Sequence, residues 1–214
     1  MNRDEVWQAI DAERLSLADL LDELSPAEWE SPSLCAGWRV RDVAAHLTLA
    51  HLGAVPAAAA LLRAGGNFNR MIRDTARRQA VLPTGELAVR LRAMAGSRRT
   101  APGITHLEPL IDILAHGQDI TVPLGRTRVM PPRAATAAVE RVWPDLWPFR
   151  PRRRLPHVAF AATDAAWSAG EGARVEGPIG AILLVLTGRP AGLSRLSGPG
   201  VDVLMARMPP VRAT

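Results

Sequence analysis

The sequence predicts a mainly α-helical protein with four main helices, followed by a small α+β region. Three observations predict this. Apolar residues recur at three- and four-residue intervals through most of the first two-thirds of the 214 residues. Prolines and glycines stand where those runs begin and stop. After the arginine-rich stretch at 150–154, the apolar period shortens to that of strands, which divides the chain into 1–149 and 150–214.

Residues 3–24 place Val6, Ile10, Leu17, Leu20, Leu21 and Leu24 on one helical face. Ser25-Pro26-Ala27-Glu28 is a capping box with proline at the first helical position, opening a short helix through Trp29. The chain loosens at Ser31-Pro32-Ser33 and turns at Gly37. Residues 40–62 are rich in alanine and leucine and form the second long helix, kinked at Pro56. Residues 65–83 begin with Gly65-Gly66, carry arginines and end at Pro83, the marks of a long connection with some helix inside. Leu87, Val89, Leu91 and Met94 define the third helix, from Thr84 to Gly96. Pro109 sits in the first turn of the fourth, whose Leu110, Ile111, Ile113 and Leu114 run down to Gly117. A further helix spans Pro131-Pro132 to Trp143. In the tail, 155–163 and 173–176 read as strands on either side of the turn-rich 168–172. Pro178 opens an apolar helix that Gly188 stops, and Pro199 opens a last short one.

Composition narrows the functional classes. No run approaches the ~18 apolar residues of a membrane span, and the N-terminal segment mixes acids with apolar residues instead of carrying a secretory h-region. A cytoplasmic protein is expected. The single Cys35 cannot form an intramolecular disulfide, in keeping with a reducing compartment. All 26 basic side chains are arginine, and the net charge is only +5. They mostly alternate with acids, and aromatics make up only 4% of residues, so a nucleic-acid role is disfavoured and 150–154 reads as a solvated linker. Oligomeric state leaves no mark in the sequence.

Asp112 and His116 are four apart, which puts both on one helical face with Cβ atoms about 5–6 Å apart, a gap one ion can bridge. Acids fill 21 of 214 positions, so chance alone yields such a pair about one time in ten, and a surface ion pair is the plain alternative. The apolar setting Pro-Leu-Ile-Asp-Ile-Leu-Ala-His argues for burial, where a carboxylate needs a compensating cation. His46, in Val-Ala-Ala-His-Leu, is likewise embedded in apolar sequence. His46 lies near the start of the second helix and the other two toward the end of the fourth, so they meet only if those helices are antiparallel. One long crossover at 65–83 makes them so. Three N/O ligands leave a fourth tetrahedral position for water or substrate, as in catalytic zinc sites. His51, five residues past His46, is rotated off that face. His106 is a lesser alternative ligand. Asp42 and Asp119 flank the ligands and are candidates to orient an imidazole. Cys35 reads as a small buried hydrophobe ahead of a reactive thiol, and Arg189 as a surface residue ahead of an anion contact.

Two segments carry a family resemblance: Pro32-Ser33-Leu34-Cys35-Ala36-Gly37-Trp38-Arg39-Val40-Arg41-Asp42-Val43-Ala44-Ala45-His46-Leu47, and Pro109-Leu110-Ile111-Asp112-Ile113-Leu114-Ala115-His116-Gly117-Gln118-Asp119-Ile120 with Pro123-Leu124-Gly125. They resemble the mycothiol-dependent maleylpyruvate isomerase family, within the DinB-like metal-binding superfamily of actinobacteria. The tail adds Ala162-Thr163-Asp164, Trp167-Ser168-Ala169-Gly170-Glu171-Gly172 and Leu186-Thr187-Gly188-Arg189-Pro190. The resemblance implies a DinB-like four-helix bundle with a crossover connection and maps the metal ligands onto His46, Asp112 and His116. It implies a divalent ion, zinc by its chemistry, and mycothiol as thiol cofactor. A small electrophilic substrate is implied as well, with isomerisation or thiol transfer as the reaction. A non-catalytic metal-binding or partner-binding module is the alternative. Two departures stand out: aspartate replaces an expected glutamate at position 112, and the C-terminal region looks abbreviated against the isomerase.

Overall fold

The computed structural model describes residues 1–100 and 103–208. The chain divides into two compact units, Asn2–Arg128 and a second from Val129 onward.

In the first unit, α1 (Arg3–Asp22) starts at Asn2, whose side chain accepts the Glu5 N–H while the Glu5 carboxylate accepts that of Asn2. The Ser25–Glu28 capping box forms with both bonds and opens α2 (Pro26–Glu30). The run expected as one kinked helix at 40–62 is two helices, α3 (Val40–Leu47) and α4 (Ala54–Arg63). Pro56 falls in the first turn of α4, where its missing N–H costs nothing, and Gly53 serves as N-cap. The chain therefore breaks ahead of the proline instead of bending at it. The expected connection at 65–83 holds a full helix, α5 (Phe68–Gln79), capped by the Asn67 side chain on the Arg70 N–H. Its arginine-rich sequence hides it because Ala76 is its one fully buried residue. Next come α6 (Thr84–Ala93) and α7 (Leu107–Thr121). The latter runs through Gly117, the expected stop. A Cβ at Gly117 would lie 3.1 Å from Nε of Arg128, so this glycine admits a neighbour's side chain and caps nothing. That arginine ion-pairs with Glu13 at 2.6 Å and binds the Glu13 carbonyl, pinning the chain after α7 to α1.

α1, α6, α3 and α7 form the ring of the bundle, each packing on the next and α7 on α1. Their directions follow from cross-contacts. Arg98 reaches Asp11, Arg14 reaches the Met94 carbonyl, and Arg92 reaches Asp19 and Asp22, so α1 and α6 are antiparallel. The Leu34 N–H binds the Asp119 carbonyl, whereas Leu47 and Ala50 lie beside Pro109, so α3 and α7 are antiparallel. Arg41 donates to the Leu82 carbonyl and Leu47 sits by Leu91, so α3 and α6 are parallel. The order up-down-down-up places the crossover between α3 and α6, as the DinB-like reading requires. The core is Val6, Ile10, Leu17, Leu21, Val40, Val43, Leu87, Leu91, Leu110, Ile113 and Leu114. Each such side chain contributes roughly 1.5–3 kcal/mol by leaving water.

The second unit contains α8 (Pro132–Val142), α9 (Pro151–Arg154), β1 (Val158–Ala162), β2 (Ser168–Gly170), β3 (Ala173–Gly177), α10 (Ile179–Leu186), a 3₁₀ turn at Pro190–Arg195 and α11 (Gly200–Arg207). The division falls at Arg128, ahead of the expected 149/150, because the buried alanine face of α8 packs on α10. The sheet order is β2-β1-β3, with β2 antiparallel and β3 parallel to β1. β2 occupies part of the expected turn. The chain then crosses the end of β1 so closely that a Cβ at Gly172 would lie 2.2 Å from the His157 carbonyl oxygen, and φ there is +118°. Every residue of α10 is buried. Its start is capped by Asp164, which accepts the Ile179 N–H at 2.7 Å, and its last carbonyls accept from Arg154. The arginine run is thus partly structural, not simply a solvated linker. Among the described residues, no helix is long and apolar enough to cross a membrane.

Candidate metal centre

α3 carries His46 on its last turn, and α7 carries Asp112, His116 and Asp119. The break after Leu47 makes His46 penultimate in its helix, and Asp112 falls in the first half of α7, so both positions along their helices differ from expectation. The antiparallel pairing still brings the groups together. Asp112 Oδ1 lies 3.5 Å from His46 Nε2 and 3.3 Å from His116 Nε2. The two imidazoles meet edge to face, with centroids 5.0 Å apart. A tetrahedral ion with bonds of about 2.0–2.1 Å needs donor atoms roughly 3.3–3.4 Å apart. The two measured edges fit that requirement, and the aspartate arm reaches both imidazoles without the longer reach of glutamate.

Electrostatics agree. Burial pushes the Asp112 carboxyl up, but His46 and His116 outweigh it and hold its pKa far below the carboxylate range. Burial opposes charge on His116, yet Asp112, Asp119 and Cys35 outweigh that and raise its pKa well above the ordinary histidine value. The pocket therefore favours one cation, supplied in its absence by the His116 proton.

A second group adjoins the first through the other face of His116. Nδ1 of His116 lies 2.7 Å from Asp119 Oδ2, and the Cys35 thiol donates to that same oxygen at 3.1 Å. Asp119 is fully buried. Of the two acids expected beside the ligands, Asp119 meets an imidazole and Asp42 does not. Asp42 instead accepts the Arg39 N–H at 2.9 Å and pairs with its guanidinium, capping α3. Cys35, expected first as a small buried hydrophobe, is half-buried and belongs to this network; nothing in its local spacing signals a contact 84 residues away. His51 and His106 lie outside both groups. Arg189 donates to the Thr187 carbonyl in the second unit.

Sequence reasoning also missed Arg14. It is 3% exposed and lines, with Leu47, Leu91, Pro109, Asp112 and Ile113, a void of about 10 Å³. Burial lowers its pKa, opposed by Asp11 and Asp112. The signal was present: Ile10, Arg14, Leu17 and Leu21 share one core-facing stripe.

Fold and site together define a helical-bundle protein of up-down-down-up order with two imidazoles and a carboxylate gathered between antiparallel helices. Residues 10–111 match the family model of the mycothiol maleylpyruvate isomerase N-terminal domain, a segment that contains His46 and ends one residue before Asp112. This segment is similar to that family's N-terminal domain, in agreement with the resemblance seen in the sequence. Two solved structures are similar over 93% of this chain and 93% of theirs, each at 13% identity: the mycothiol-dependent maleylpyruvate isomerase, with a TM-score of 0.62, and a histidine-to-alanine mutant of it, with a TM-score of 0.59. They show that the fold is shared across both units. The near-equal coverage also corrects the expectation of an abbreviated C-terminal region. No curated protein sequence matches the chain.

Proposed function

We propose that the protein is a metal-dependent, mycothiol-dependent enzyme of the cytoplasm that acts on a small electrophilic molecule by isomerisation or thiol transfer. The observation that carries this reading is the pair of tetrahedral-length edges joining His46, Asp112 and His116. The donor set of two nitrogens and one carboxylate oxygen suits zinc. His46, Asp112 and His116 would hold a divalent ion there, and such an ion would supply the positive charge that lowers a bound thiol's pKa from about 8.5 and favours thiolate at neutral pH.

The chain's own residues do the rest. His46 and His116 present nitrogen lone pairs, and Asp112 neutralises one positive charge. Trp38 sets its ring edge against His46 and limits how that ring can turn. Asp112, 31% exposed at its side chain, marks the side from which a ligand enters.

The test is to measure bound metal, substitute cobalt, and titrate mycothiol while recording the cobalt spectrum. A thiol-dependent change supports the enzyme reading. A bound ion whose spectrum ignores mycothiol rejects it and leaves a metal-binding module without this chemistry.

A further inference from the structure

The surroundings of His116 carry an inference that rests on the metal reading above. His116 uses both ring nitrogens, Nε2 toward Asp112 and Nδ1 toward Asp119. An ionised carboxylate has no proton to give, so Nδ1 is the donor to Asp119, and Nε2 is the nitrogen left to offer its lone pair once an ion takes the place of the proton it shares with Asp112. Asp119 is in turn tied to a turn of the chain before α3. The Ser33 N–H donates to the Trp38 carbonyl at 2.9 Å, the Trp38 N–H to the Cys35 carbonyl at 3.0 Å, and the Leu34 N–H to the Asp119 carbonyl at 3.1 Å. This turn delivers the Cys35 thiol to Asp119 Oδ2 and the Trp38 ring to His46, with centroids 5.6 Å apart, so it abuts both imidazoles.

We propose that Asp119 and Cys35 are positioning residues of the metal centre: the Asp119 carboxylate, held by the Cys35 thiol, fixes His116 as the tautomer that offers Nε2 to the ion. Cys35, His116 and Asp119 do not have the spacing of a ligand set. Their 2.7 and 3.1 Å separations are hydrogen-bond lengths, shorter than the roughly 3.3 Å or more between donors around a tetrahedral ion. Fixing an imidazole in this way typically changes metal affinity by about 10–100-fold.

The experiment titrates the metal-free, full-length protein with cobalt(II) and reads the binding constant and ligand-field spectrum of wild type, Asp119→Asn, Cys35→Ala and Cys35→Ser. Melting of each metal-free form checks folding. Asp119→Asn is expected to weaken binding about 10–100-fold and to alter the spectrum, because the amide lacks the charge that fixes the Nδ1 proton. Cys35→Ala is expected to weaken binding several-fold, and Cys35→Ser, which keeps a donor, to restore it. If Asp119→Asn does not fold, the two Cys35 variants decide the matter. Equal affinity and identical spectra in folded Asp119→Asn and Cys35→Ala overturn the proposal. So does a sulfur-to-cobalt charge-transfer band in wild type that Cys35→Ser abolishes, since Cys35 would then be a ligand. Failure of wild type to bind cobalt sinks the metal reading itself, and the positioning role with it.

Discussion

The His116→Ala substitution has two separable consequences. In the loaded protein it removes one of the three proposed ligands. A mere hydrogen-bond partner of a ligand is worth about 10–100-fold in affinity, so the ligand should be worth more than about 100-fold, or about 2.7 kcal/mol. In the metal-free protein His116 sits between Asp112 at 3.3 Å and buried Asp119 at 2.7 Å. Alanine deprives a buried carboxylate of a charged donor, at a cost of about 1–3 kcal/mol. His46→Ala removes a proposed ligand too, but His46 pairs with Asp112, which is 31% exposed, so the metal-free cost stays within about 1 kcal/mol. The sign of the pH dependence follows from the raised His116 pKa. Its stabilisation is full below the unfolded value of about 6.5 and fades as pH rises through the higher folded value. Metal content, cobalt titration and urea unfolding of the metal-free proteins at pH 6 and above test these consequences. A full equivalent of metal in His116→Ala, or equal unfolding midpoints for the two metal-free variants at pH 6, would refute the reasoning.

Three further outcomes are expected. Asp42→Asn weakens the cap of α3 and its Arg39 pair and should cost about 0.5–2 kcal/mol at neutral pH in a denaturant melt. Arg39 outweighs burial and lowers the Asp42 pKa, so this stabilisation is present above the unfolded carboxylate value and disappears as pH falls through the folded one. Arg154→Met strips the Val185 and Leu186 carbonyls of a charged donor and should lower stability by about 1.5–3 kcal/mol without changing metal affinity. Gly192→Ala puts a methyl 2.5 Å from the Ala181 carbonyl oxygen and should destabilise by about 1–3 kcal/mol; an unchanged melting curve would contradict the packing of the 3₁₀ turn on α10.

Much of this architecture was legible because helix periodicity and caps are local. The Ser25 capping box, the first turn at Pro109, the Pro178 start and the positive-φ stop at Gly188 all act within a few residues, and each lies where the sequence indicated. The crossover was legible for a different reason: only one direction of α3 against α7 lets His46 meet Asp112. Errors arose where tertiary contact decides. Gly117 looked like a stop but makes room for Arg128, and α5 was obscured because its arginines conceal a narrow buried face. The parallel β1–β3 pair joins strands that the chain links around β2, an arrangement no local pattern announces. At the site, the i,i+4 pair was visible in the spacing. Cys35 was not, since its partner is set by the packing of a turn onto α7.

The edge of Trp38 against His46 makes the protein its own optical gauge. An open-shell ion lodged beside that imidazole should drain the excited state of this indole, so emission ought to dim as the site fills and recover on chelation. Loading could then be followed on the unlabelled chain, in dilute solution and in real time.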